Sequence, residues 1–290
     1  MKKIALIHSG PAYAPEIGVY KRFLEKEGYF VQVFKEACES DLKLFDIEWH
    51  FMGMDTSQLK TDRLKIHEYV SLSIPPFPKW KDRIKKVFNS KPDLRIFGNE
   101  FVEKALGFKD SVPVRFRDAG ISPDFLQKHK NIIPEFDFVY SGSTDTTRKI
   151  EYLLSFFADN MSNNKLLVIG TPPHSLSNHI LHHPAITFTG KIPYEEVPYW
   201  LPKAHYGINY IPDVYPYNQQ RPLKLLEYCA VGLPVITTKY AWVNQFEREW
   251  KARFFKLESN LSNFQLDLIQ GFDFKKPDVS DLTWEKLFYQ

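Results

Sequence analysis

Cysteine is almost missing: Cys38 and Cys229 are the only two in 290 residues. Two thiols cannot build a disulfide framework, so a reducing, cytoplasmic setting is expected. Long apolar runs are missing too. Nothing approaches the ~18 residues a bilayer-spanning helix needs. The opening Met1–His8 begins like a signal peptide, but its apolar run stops at His8 and reads as a first strand. Charge of one sign is not in excess: 38 Lys and Arg face 35 Asp and Glu, a net +3. That bias does not call for nucleic acid; it fits an anionic ligand or a membrane surface. The chain has no Gly-x-Gly-x-x-Gly, no Gly-x-x-x-x-Gly-Lys-Ser/Thr, no heptad run and no low-complexity tract.

What is present is a large apolar fraction, 43%, with aromatics at 16%. A large aromatic core is the first reading and sugar-stacking surfaces the second. Lys3–His8, the turn-rich 9–15, the helical spacing of Ile17, Tyr20, Phe23 and Leu24, and the alternating 29–34 form a βαβ opening. Strands are expected at 47–52, 64–69, 94–97 and 112–116, with helices at 80–88 and 101–106. A linker is expected at 131–135. The βα alternation then restarts: strands at 136–140, 166–169, 186–188 and 205–211, helices at 148–157 and 194–202. Two such runs imply two doubly wound α/β domains, 1–134 and 135–290, with a last helix at about 281–290.

The richest stretch is 220–238. Pro222 suits a first helical turn, Gly232 the left-handed residue past a helix end, and Pro234 forbids more helix before the β-branched 235–237. Lys224 and Glu227 share a helix face. A helix start beside a strand end offers free N–H groups and a positive dipole to a diphosphate. A carboxylate one turn further in can accept from two sugar hydroxyls. The plain alternative is an exposed Lys224–Glu227 pair. His174, His179, His182 and His183 invite a zinc reading, but no paired cysteine accompanies them and their spacing is irregular, so no metal site is expected.

Over 136–238, and less strongly over 3–34 and 64–118, the chain resembles the family 4 glycosyltransferases, including bacterial polysaccharide and lipopolysaccharide enzymes. Their GT-B fold has two Rossmann-like domains facing a cleft. In 139–150 the family reads strand, Gly, loop, Lys, helix. The resemblance implies that Gly142 lets the donor approach and that Lys149 meets its diphosphate. Ser143 stands where Arg is common, with Arg148 as a substitute. In 186–201 it implies that Gly190, Lys191 and Ile192 border the base. In the 220–238 helix it implies that Glu227 holds the ribose, that Leu223 and Lys224 present amides to the diphosphate, and that Gln219 replaces a first Glu. In the other domain, His67 would touch the transferred sugar, and Glu68 and Gly10 would lie on the acceptor side. Arg117 and Asp118 read as a structural pair.

The implied activity is a retaining, metal-independent hexosyl transfer from a nucleotide-diphosphate sugar to a glycan or lipid-linked acceptor. No cofactor is implied, and no Asp-x-Asp metal signature occurs. Two alternatives stay open, a nucleotide-sugar epimerase of the same fold and a non-catalytic partner subunit. The basic helix at 80–88 also has two readings. Trp80, Ile84, Val87 and Phe88 face either the core or an anionic membrane, the latter placing the chain at the inner face of the cell membrane.

Overall fold

The structure, a computed structural model, describes residues 1–9, 14, 16–56, 62–117, 119–127, 132–144, 146–219 and 221–289. Gly10 and Asp118 lie outside the described residues. The chain divides into two compact units, Met1–Gly120 with Trp284–Gln290, and Ile121–Thr283. This division falls earlier than the linker expected at 131–135. The physical reason is Phe125, fully buried in the second unit with its ring 5.4 Å from that of Tyr194.

The first unit runs β1 (Lys3–His8), α1 (Glu16–Lys26), β2 (Phe30–Phe34), α2 (Glu39–Leu42), β3 (Ile47–Phe51), β4 (Leu64–Tyr69), α3 (Pro78–Phe88), β5 (Leu94–Phe97), α4 (Glu100–Leu106) and β6 (Val114–Phe116). Its parallel sheet has the order β2-β1-β3-β4-β5-β6. The last helix returns here: its Phe288 lies 4.5 Å from Tyr20 and from Phe23, and Trp284 covers Gly120, where a Cβ would sit 2.7 Å from the indole.

The second unit runs β7 (Phe136–Ser141), α5 (Ile150–Asn160), β8 (Leu166–Ile169), α6 (Asn178–Leu181), β9 (Ile186–Phe188), α7 (Val197–Trp200), β10 (Ala204–Asn209), α8 (Leu223–Ala230), β11 (Val235–Thr238), α9 (Ala241–Trp250), β12 (Phe255–Leu257) and α10 (Leu266–Gln270); α11 (Trp284–Phe288) closes the chain. Its sheet is also parallel, in the order β12-β11-β10-β7-β8-β9. The core is aromatic: Phe138 packs edge-on against Phe157 at 5.9 Å and Phe264 at 5.1 Å, and all three are fully or nearly fully buried. Each ring contributes roughly 1.5–3 kcal/mol by burial, with ~1 kcal/mol more from the edge-to-face pairing.

Some elements differ from the sequence expectation. Pro222 is the N-cap of α8, one place outside the first turn, and its backbone is extended. The helix expected at 194–202 is a four-residue α-helix between 3-10 turns, because Pro198 and Pro202 each remove a donor. Helix α3 forms where expected, but its apolar residues face outward: Trp80, Val87 and Phe88 are all exposed while Asp82 is buried.

Candidate functional site

In the second unit the chain steps outward from β7 to β8 and β9, then returns to β10 on the other side of β7. The carboxyl ends of β7 and β10 therefore flank the topological switch point, where doubly wound sheets bind ligands. Gly142 follows β7 there with φ +125, a backbone that other residues reach only with strain. The turn is crowded. A Cβ on Gly170 would sit 2.8 Å from the Gly142 carbonyl oxygen, so two glycines let the ends of β7 and β8 cross closely.

Helix α8 is the crossover from β10 to β11, and Tyr228 fixes it against β7 and β10. Its hydroxyl accepts from the Ser141 N–H at 2.8 Å and donates to the Ile208 carbonyl at 3.3 Å. Its ring lies where a side chain on Gly207 would be, 2.6 Å from a built Cβ. Only glycine at this strand position lets the helix come so near.

This docking places Lys224 and Glu227. Lys224 is buried, and its Nζ lies 3.7 Å from the centre of the Tyr140 ring and 3.1 Å from a Cβ built on Gly142. The ammonium has no hydrogen-bond partner among the described residues. Burial, aided by nearby Arg148, holds its pKa well below the usual lysine value, against the pull of Glu227. Glu227 is buried as well and accepts from the Tyr194 hydroxyl at 2.9 Å. Burial pushes its carboxyl up to about 7, opposed by the Tyr194 hydrogen bond and the Lys224 charge. The pair is therefore not the exposed surface pair that spacing alone allowed.

The other expected donor residues sit on the turns and helix starts of the same unit. Arg148 lies 5.0 Å over the Tyr217 ring, and Thr147 Oγ1 meets the Tyr217 hydroxyl at 2.6 Å. Lys149 is exposed, at the N-cap of α5 with φ 53. The buried cation beside the Gly142 turn is thus Lys224 rather than Lys149. Ser143 is exposed and its carbonyl accepts from the Tyr140 hydroxyl at 2.8 Å. Gly190, with φ +71, the exposed Lys191 and the part-buried Ile192 lead from β9 into the turn that carries Tyr194. Gln219 and Leu223 are part-buried, at the end of a 3-10 turn and at the start of α8. Tyr140, Tyr194, Tyr228 and Gly207 were not singled out from the sequence. A glycine inside the apolar strand 204–209 was the one available signal.

Two expectations in the first unit are corrected. His67 is fully buried in the middle of β4, with Nε2 3.0 Å from Asp55 Oδ2, and so cannot touch a sugar at the surface. Asp55 also accepts from Lys65 at 3.2 Å, and burial lowers the imidazole pKa against the pull of that carboxylate. Glu68 is buried as well, accepting from Tyr20, Trp49 at 2.9 Å and Arg117 at 2.7 Å. It joins α1 to the sheet, and its carboxylate is turned away from solvent. Arg117 pairs with it; the expected pairing of Arg117 with Asp118 lies outside the described residues.

Residues 135–254 match the family model of glycosyl transferases group 1. No curated protein matches the sequence. Among solved structures, the chain is similar to a sucrose-phosphate synthase from Thermosynechococcus elongatus (TM-score 0.66, 16% identity, 93% of this chain and 89% of that one). It is also similar to Anabaena Alr3699/HepE in complex with UDP and glucose (TM-score 0.64, 11% identity, 93% and 89%). A third is WaaG, a glycosyltransferase involved in lipopolysaccharide biosynthesis (TM-score 0.63, 13% identity, 93% and 89%). Two six-stranded parallel sheets with their helices give this chain the GT-B fold of those proteins, and its second unit carries the sequence pattern of the glycosyl transferases group 1.

Proposed function

We propose that the protein is a glycosyltransferase that moves a hexose-type sugar from a nucleotide-diphosphate donor to a hydroxyl of a glycan or lipid-linked acceptor, in cell-surface polysaccharide or glycolipid synthesis. The observation that supports it most is Lys224, a buried ammonium without a partner among the described residues, beside the Gly142 turn at the switch point. A buried cation is costly unless something anionic meets it. A donor diphosphate is such an anion, and α8 adds free amides at Leu223 and Lys224.

In this reading the bond from the sugar's anomeric carbon to the diphosphate oxygen breaks, and the electron pair leaves with the diphosphate. The acceptor oxygen bonds to the same carbon and gives its proton to the departing phosphate. Lys224, with Arg148 nearby, stabilises the charge that grows on the leaving group. These cations neutralise it without a divalent ion, which makes metal independence part of the proposal. Glu227, oriented by Tyr194, accepts from the ribose hydroxyls. Retention of anomeric configuration comes from the resemblance alone. UDP bound to Anabaena Alr3699/HepE makes UDP the first base to try.

Calorimetric titration with UDP, GDP, ADP and CMP, each with and without Mg²⁺, tests the reading. One diphosphate should bind without metal, and Lys224→Met and Glu227→Ala should abolish that binding with the fold retained. Binding of none would favour a non-catalytic subunit. Conversion of the sugar nucleotide without any acceptor would favour an epimerase.

A further inference from the structure

Helix α3 (Pro78–Phe88) stands inside out. A helix at a protein surface normally turns its apolar stripe to the core. Here the inward side carries charge. Asp82 is buried, its Oδ1 accepting from the Ser73 N–H at 3.0 Å, and burial lowers the pKa of Lys85. The outward side is apolar, with Trp80 66%, Val87 67% and Phe88 57% exposed. Ile84, part-buried, lies between them on the same stripe at the spacing of successive turns. Phe77, just ahead of the helix, is 76% exposed.

Charge follows the stripe closely. At about 100° per residue, Arg83, Lys79 and Lys86 run along one edge and Lys81 along the other. Asp82, the only acidic residue of the helix, is turned inward. An apolar stripe edged by long-stemmed cations, with no outward carboxylate, complements a surface that is apolar below and anionic above. Lys and Arg stems can lie along the apolar layer while their heads reach phosphates.

We infer that α3 docks the protein onto an anionic lipid bilayer. Trp80, Ile84, Val87 and Phe88 enter the boundary between headgroups and acyl chains, and Lys79, Arg83 and Lys86 meet lipid phosphates. The docking rests on this helix alone and does not depend on the transferase reading. A failure of donor binding leaves it standing, and a failure of docking leaves the donor site untouched.

Sedimentation with vesicles tests it, using phosphatidylglycerol mixed with phosphatidylcholine against phosphatidylcholine alone. The protein should sediment with the mixed vesicles, stay in solution with the zwitterionic ones, and be released by high salt. Arg83→Gln and Lys86→Gln should each weaken binding about fivefold. Trp80→Ser should weaken it about tenfold or more with an unchanged melting temperature, since the residue is exposed. Equal binding to both vesicles, or none to either at low salt, would overturn the proposal. So would a dimer in analytical ultracentrifugation that Trp80→Ser dissolves, because the face would then belong to a second copy of the chain.

Discussion

Lys224 and Glu227 lie one turn apart on α8, both buried, yet each meets a different partner: Lys224 Nζ stands 3.7 Å over the Tyr140 ring, and Glu227 is bound to the Tyr194 hydroxyl at 2.9 Å. No direct ion pair joins them among the described residues. An ammonium and a carboxylate held this close, but apart, retain free hydrogen-bonding capacity. That capacity suits a ligand with a negative end and a hydroxylated end. Tyr228, docked against Gly207 and bonded to the Ser141 N–H, holds the same helix against the sheet.

Lys224→Met separates the binding role from the structural one. Methionine fills a similar volume and removes a buried unpaired donor, which ordinarily costs about 1–3 kcal/mol. The variant should unfold at a higher temperature than the parent, by about 1 kcal/mol in stability. Turnover with the sugar nucleotide should fall by roughly 10²–10³. A residue serving only the fold would give the opposite pair of results, so calorimetric melting and an activity assay on the same sample decide it.

Gly142→Ala tests the turn. Its φ of +125 strains any residue with a Cβ, and that Cβ would sit 3.1 Å from Lys224 Nζ. A destabilisation of about 1–3 kcal/mol is expected. Donor affinity should fall as well, because the ammonium must shift. Urea unfolding and calorimetry give both numbers, and an alanine variant with unchanged affinity would show that the turn does not position Lys224.

Much of the second unit was legible because its sequence is locally consistent. Gly232 adopts φ +79, just past the end of α8 as its position suggested, and the 235–237 run forms a strand. Parallel strands buried on both faces announced themselves as short apolar runs. Glu227 and Gly142 stood out in the sequence because they carry turn and helix signals of their own. Tyr194 and Tyr140 did not, because nothing local marks a tyrosine whose partner lies far along the chain. Lys224 was expected to offer an amide, and the structure gives its side chain the more telling position. His67 failed for the same reason. An isolated histidine in a strand reads as a ligand until Asp55, 12 residues away in sequence, is seen beside it. The basic helix at 80–88 left two faces open, since an amphipathic pattern does not say which side is outward.

Glu68 and Arg117 should behave as structural partners. The carboxylate gathers Arg117, Tyr20 and Trp49, and the guanidinium also lies 4.7 Å over the Trp284 ring of α11. Removing one member of a buried pair leaves an uncompensated charge, at about 3–5 kcal/mol. Glu68→Ala should therefore lower stability by that amount in urea unfolding. Donor binding should survive wherever the protein remains folded, because these residues belong to the first unit. A stable Glu68→Ala variant with lost turnover would restore the acceptor-side role expected from the sequence.

Glu227 makes stability depend on pH with a definite sign. Its carboxyl is raised from 4.5 to about 7 in the folded protein, so the fold holds a proton that the unfolded chain has already released. The stability this contributes is fully present below about pH 4.5 and is lost as pH rises through about 7. Ionising the buried group costs on the order of 3 kcal/mol across that window. Glu227→Gln keeps a neutral side chain at every pH. The variant should match the parent in chemical denaturation at the acid end and exceed it on the alkaline side of 7. A stability difference that stays constant with pH would mean the carboxyl titrates normally in the fold. The gain must come with a loss of donor affinity, because glutamine offers one acceptor oxygen where the carboxylate offers two. Stability gained on the alkaline side with affinity lost is the signature of a group held out of water for its ligand.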